Sequence, residues 1–172
     1  MTGNESLWDC ALRLYSVPGI ADACLTLQDE SHVDVPILLF SAWLAGNKVA
    51  LEAEEVGRVD NLVRQWRNEV IEPLRSVRRR LKSGPLSTFP EEGEGFRNRV
   101  KEVELGAEKI ELAVLETEGR KLLLKAQPYR EGSENLRIAV LYFRSRPLDD
   151  NAEDALSKIE LAALGISDKQ QK

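Results

Sequence analysis

Apolar residues recur at three- and four-residue intervals along most of this chain, the spacing of helices that each bury one face. From Glu5 to Ser16 the repeat is carried by Leu7, Trp8, Ala11, Leu12, Leu14 and Tyr15. Val17-Pro18-Gly19 then turns the chain, with Pro18 suited to the first turn of a second helix running through Ile20, Cys24 and Leu27 to about Ser31. Asp34 reads as the N-cap of a third helix, and Pro36 is tolerated in its first turn because its missing N–H would be unpaired there. That helix, Val35 to Ala45, is apolar nearly all round and is expected to lie at the centre of the core, stopped by Gly46-Asn47.

A long helical region from about Glu52 to Lys82 follows, with Val59, Leu62, Val63, Trp66, Val70, Leu74, Val77 and Leu81 as its stripe. Pro73 crowds the carbonyl of Glu69, so a kink or break is expected at Val70 to Pro73. Ser83 to Gly95, rich in Pro, Gly, Ser and Glu, reads as a loop. Phe96 to about Ala126 is a further long helix that Gly119 weakens without ending. Ser133 to Phe143 is too short for periodicity to separate helix from strand, and helix is favoured. Asp150 or Asn151 caps a last helix, which Gly165 stops. The expected fold is all-α, a bundle-like single domain of six or seven helices. Within it, residues 1–127 form a helical core, with 128–172 a C-terminal helical extension packed on or beside it.

Composition narrows the function classes. A 42% hydrophobic, 31% charged mixture is that of a globular chain, and 172 residues suffice for one core. The net charge of −5 argues against nucleic acid or an anionic membrane as partner, since both begin with a positive field. No secretory signal or spanning stretch is evident, because the longest apolar run is broken by Asp34, Pro36 and Ser41. The chain is accordingly expected to be cytoplasmic. Cys10 and Cys24 lack metal or redox spacing and read as buried thiols, and Trp8, Trp43 and Trp66 read as core.

Three constellations carry candidate chemistry. Arg75, Arg78, Arg79 and Lys82 fall at i, i+3, i+4 and i+7, four cations on one helical face that suit a phosphate, a carboxylate or an RNA backbone. Glu104, Glu108 and Glu111 form a facing acidic strip. Joined by the intervening loop, the two helices can pack antiparallel with Arg75, Arg78 and Arg79 opposite Glu104 and Glu108, which would set register more than net stability. At the junction before the central helix, Asp29, His32 and Asp34 gather, with capping and turn roles favoured over metal or general-base roles. No metal-ligand spacing and no cofactor or nucleotide motif is present.

The stretches LWDCALRLYSVPGIADACLTLQDESHVDVPILLFSAWLA, then Trp66 followed by PLRSVRRRLK, then VKEVELGAEKIE resemble an uncharacterised proteobacterial family of small proteins, a domain of unknown function. The resemblance covers roughly residues 5 to 118. It implies a bacterial, cytoplasmic setting and no particular activity, cofactor or catalytic residue. The functional expectation is a non-enzymatic binding or regulatory protein whose ligand or partner residues are Arg75, Arg78, Arg79, Lys82, Glu104, Glu108, Asp29 and His32. The alternatives are a small enzyme acting on an anionic substrate through a carboxylate and histidine site, and a structural module that oligomerises through its C-terminal helices.

Overall fold

Val35–Gly46 (α3), the segment apolar on every side, has each residue from Val35 to Ala45 buried. The computed structural model describes residues 5–83, 90–125, 134–144 and 147–165. These fold as seven helical rods with no strand among the described residues. Leu7–Tyr15 (α1) and Ile20–Ser31 (α2) precede α3. Ala53–Trp66 (α4) runs through a π-helical turn at Arg67–Ile71 into Glu72–Ser83 (α5). Pro90–Leu123 (α6), Glu134–Phe143 (α7) and Asp150–Ala163 (α8) follow. Helices α1, α4, α6, α7 and α8 all pack against α3. Asp34 caps it as expected, its Oδ1 accepting from the Ile37 N–H at 3.0 Å.

The kink expected before Pro73 is a widened turn, not a break. Proline cannot donate to the carbonyl four residues back and its ring crowds that carbonyl, so the preceding turn opens to π spacing and the rod continues. The wider turn shifts the helical phase of α5, and with it Arg75, relative to α4.

Three local expectations are corrected. The second helix begins at Ile20, after Gly19 at φ 85°, so Pro18 lies in the turn ahead of it. The chain is helical from Pro90, so the second half of the expected Ser83–Gly95 loop is the first turn and a half of α6. A proline at the first helical position loses no hydrogen bond, which composition alone does not reveal. The cap of α8 is Asp149, accepting from the Ala152 N–H at 3.0 Å, not Asp150 or Asn151.

Gly119 lies inside α6 for a packing reason. A Cβ there would stand 2.5 Å from Trp43 Cζ3 and 2.7 Å from Phe40 Cε2, so only glycine lets α6 cross α3 this closely. Two buried polar side chains fasten α7. Asn135 bridges the segment after α3, donating to the Val49 carbonyl at 2.7 Å and accepting from the Leu51 N–H at 2.8 Å. Arg144 donates to Ser31 Oγ at 3.0 Å and to Asp149 at 2.7 Å, tying the ends of α2, α7 and α8 together. Among the described residues no helix is long and apolar enough to cross a membrane.

Candidate functional site

Charged residues at buried helical positions define the site. Arg67, in phase with the buried Val56, Asp60 and Val63 of α4, meets carboxylates from three elements. Its Nε lies 2.5 Å from Asp34 Oδ2 at the head of α3, its Nη1 donates to Asp60 Oδ1 of α4 at 2.8 Å, and its Nη2 reaches Glu111 Oε1 of α6 at 3.5 Å. Arg64 adds a second cation to Asp60, and the Tyr142 hydroxyl donates to the same carboxylate at 3.0 Å. Glu111 Oε2 has no hydrogen-bond partner among the described residues.

The pKa values follow from this arrangement. Burial, reinforced by the nearby Asp34 charge and only partly opposed by Arg67, pushes Glu111 up to about 8. Burial also holds Asp34 above the ordinary carboxylate range, against the pull of Arg67 and the Ile37 N–H. For Asp60 burial acts in the same direction, but hydrogen bonds from Arg64 and Arg67 outweigh it and the net shift is downward. At neutral pH the cluster therefore keeps a proton, carried by Glu111.

Two helical turns further along, Arg75 and Arg78 grip the acidic strip of α6. Arg75 Nη2 donates to Glu108 at 2.8 Å, its Nη1 to Glu72 at 2.7 Å and its Nε to Glu104 at 3.3 Å, while Arg78 Nε and Nη2 both bond Glu104. Burial alone would raise Glu104, but the two guanidinium groups overcome it and lower its pKa. Glu108 remains raised, burial exceeding the help of Arg75.

A cleft of about 370 Å³ opens between the α2–α3 junction and the π turn with α5. Gln28, Asp29, His32, Val33 and Asp34 line one side, and Arg67, Glu72, Arg75 and Arg79 the other. Across its rim Arg79 Nη2 and Asp29 Oδ1 are 3.4 Å apart, both well exposed. His32 is the exposed C-cap of α2, held at φ 53° in the left-handed region that non-glycine residues seldom occupy.

Of the residues singled out from the sequence, the fold brings Asp29, His32, Arg75 and Arg79 to this one cleft. Glu104 and Glu108 are on the α6 side of Arg75 and do not line it, and Lys82 is exposed near the end of α5. Sequence reasoning missed Arg67, Asp60, Glu72 and the role of Asp34 beyond capping. The available signal was phase: Asp60 lies between Val59 and Val63, and Glu111 between Ala107 and Leu115, all positions facing the core. Cys10 and Cys24 are buried free thiols. Among the described residues no group of three His, Cys, Asp or Glu side chains is placed to hold a metal ion.

Residues 6–115 match the family described as Protein of unknown function (DUF2390), and the chain belongs to that family. The matched span contains both arginine clusters and the whole cleft lining, and ends before Gly119, α7 and α8. Nothing among curated proteins or solved structures matches the chain.

Proposed function

We propose that this member of the family is a non-enzymatic binding protein whose cleft takes a small charged ligand, with the ligand's carboxylate or phosphate at Arg79. The observation that carries this reading is the Arg79–Asp29 pair across the rim: long, exposed and cheap to exchange for a better anion. Arg75 and Arg78 are engaged by glutamates, so the anion-binding capacity of the basic face falls to Arg79 at the cleft. The buried Asp34 and the exposed Glu72, both in the lining, favour a ligand that also carries a positive group, one whose charges alternate as the walls do. The carboxylates of Glu104 and Glu108 are bound to arginines away from His32, which weighs against the acid–base enzyme reading.

A thermal-shift screen over amino acids, small peptides and phosphorylated metabolites tests the proposal. A ligand present at about 100 times its dissociation constant stabilises the native state by about 2.7 kcal/mol. In a domain of this size that raises the midpoint by roughly 5 to 10 °C. The expected result is such a shift with at least one anionic or zwitterionic compound, lost in Arg79→Ala. No shift from any of them, or a shift that Arg79→Ala retains, contradicts it.

A further inference from the structure

The side of the α5–α6 hairpin that faces away from the cleft carries a second apolar surface. On α6, Phe96, Val100, Val103, Ala107, Ile110 and Val114 follow one another at alternating four- and three-residue steps, the spacing of a coiled-coil seam. Glu104, Ala107, Glu111 and Leu115 already turn toward the rest of the molecule, yet Val103 is 58% exposed, Ile110 53% and Phe96 46%. On the neighbouring rod Leu74, Val77 and Leu81 of α5 take three- and four-residue steps, preceded across the π turn by Leu62, Trp66 and Val70 at four-residue steps, with Leu62 and Val77 about half exposed.

The contacts between the two rods fix the relation of these stripes. Arg75 and Arg78 point at Glu104 and Glu108, and Trp66 Nε1 donates to the Ala107 carbonyl at 3.0 Å. With the helices antiparallel and the arginines turned inward, residues at the phase of Leu74, Val77 and Leu81 and those at the phase of Val100, Val103 and Ile110 emerge on one common side. The cleft residues Glu72 and Arg79 emerge on the other.

We infer that this two-helix face is the contact surface for a second copy of the chain, two hairpins closing into a four-helix bundle about a two-fold axis. Each rod supplies apolar side chains over about 28 Å at 1.5 Å per residue, and two helices side by side are about 20 Å wide, giving roughly 550 Å² per copy in projection. That falls short of the roughly 800 Å² per partner of a standard interface and is the size of a weak, concentration-dependent one. The rims are self-complementary. Arg80 lies on the outer edge of α5 and Glu102 on the outer edge of α6, both exposed. A two-fold copy lays α5 of one hairpin along α6 of the other, where these opposite charges meet and Val77 faces Val103. The C-terminal helices are poorer candidates, because Leu136, Ala139, Val140, Leu156 and Ile159 are already in the core.

Sedimentation equilibrium on the full chain tests the inference. The wild type is expected to move from monomer to dimer as concentration rises, with half-association below about 500 μM. Val103→Glu should raise the dissociation constant at least about tenfold, whereas Leu141→Glu, on the exposed side of α7, should leave it unchanged. Far-ultraviolet circular dichroism of each variant confirms that it is folded, and Ile110→Lys replaces Val103→Glu should the latter unfold. A wild type that stays monomeric throughout overturns the inference. So does a dimer that the α6 substitutions leave intact.

Discussion

Around Arg67 and around Arg75 the same inventory is assembled twice: two arginines and three carboxylates. At the first, Arg64 and Arg67 face Asp34, Asp60 and Glu111; at the second, Arg75 and Arg78 face Glu72, Glu104 and Glu108. They differ in access to water. The carboxylates at Arg67 have side chains 6%, 3% and 0% exposed, whereas Glu72 is 49% and Glu108 27% exposed. Exposure alone does not sort the shifts: Glu104, only 7% exposed, and Asp60 are each held by two arginines and lie below their ordinary range. Glu108 and Glu111 each meet one arginine and are raised, Glu111 to about 8. The number of guanidinium groups a carboxylate meets, set against its burial, decides how it titrates.

The sharpest way to separate the clusters is to remove one arginine from each. Arg67→Met strips the enclosed Asp34 of its guanidinium partner and leaves Asp60 with Arg64 alone, and is expected to cost about 3–5 kcal/mol of unfolding free energy at pH 7, read by urea denaturation. Arg78→Met leaves Glu104 with Arg75 and the others with solvent, and should cost only about 1–2 kcal/mol. Both clusters depend on α6 lying close against α3. Gly119→Ala, which drives a methyl into Phe40 and Trp43, should therefore destabilise by about 1–3 kcal/mol, despite the better helix propensity of alanine.

The smallest effect is the most diagnostic, because Glu104 and Glu111 slope in opposite directions with pH. Glu104 has a depressed folded-state pKa, so its contribution is present above its unfolded value and lost as pH falls through the folded one. Glu104→Gln should flatten the acid limb of the stability profile. Glu111 has a raised pKa, so the folded state holds a proton that the unfolded chain has released, and stability declines as pH rises from about 4.5 toward 8. Glu111→Gln should flatten that decline and leave the acid limb as it was.

Much of this arrangement is written in local spacing. The all-apolar run of α3, the Asp34 cap and the facing of Arg75 and Arg78 onto Glu104 and Glu108 follow from three- and four-residue steps and a short connection between two helices. The Arg67 cluster does not, because its members come from the head of α3, from α4, from the π turn and from the middle of α6. Their meeting is long-range, although Arg67 itself, four residues after Val63 and seven after Asp60, keeps the core-facing phase of α4; the π turn that follows re-phases Arg75 and Arg79 instead. The cleft is a product of that shift in phase. Asp29 and His32 were legible as a polar junction, but not that Arg79 closes over it. Pro90 opening α6 was hidden by a composition that reads as a loop.

A buried proton beneath the cleft sets the Arg67 cluster apart. The direct measurement is the carboxyl carbon shift of Glu111 in selectively labelled protein, followed by nuclear magnetic resonance from pH 4 to pH 10, with Glu111→Gln identifying the resonance. A midpoint near 8 is the predicted result. A midpoint in the ordinary glutamate range, about 4 to 4.5, would contradict it.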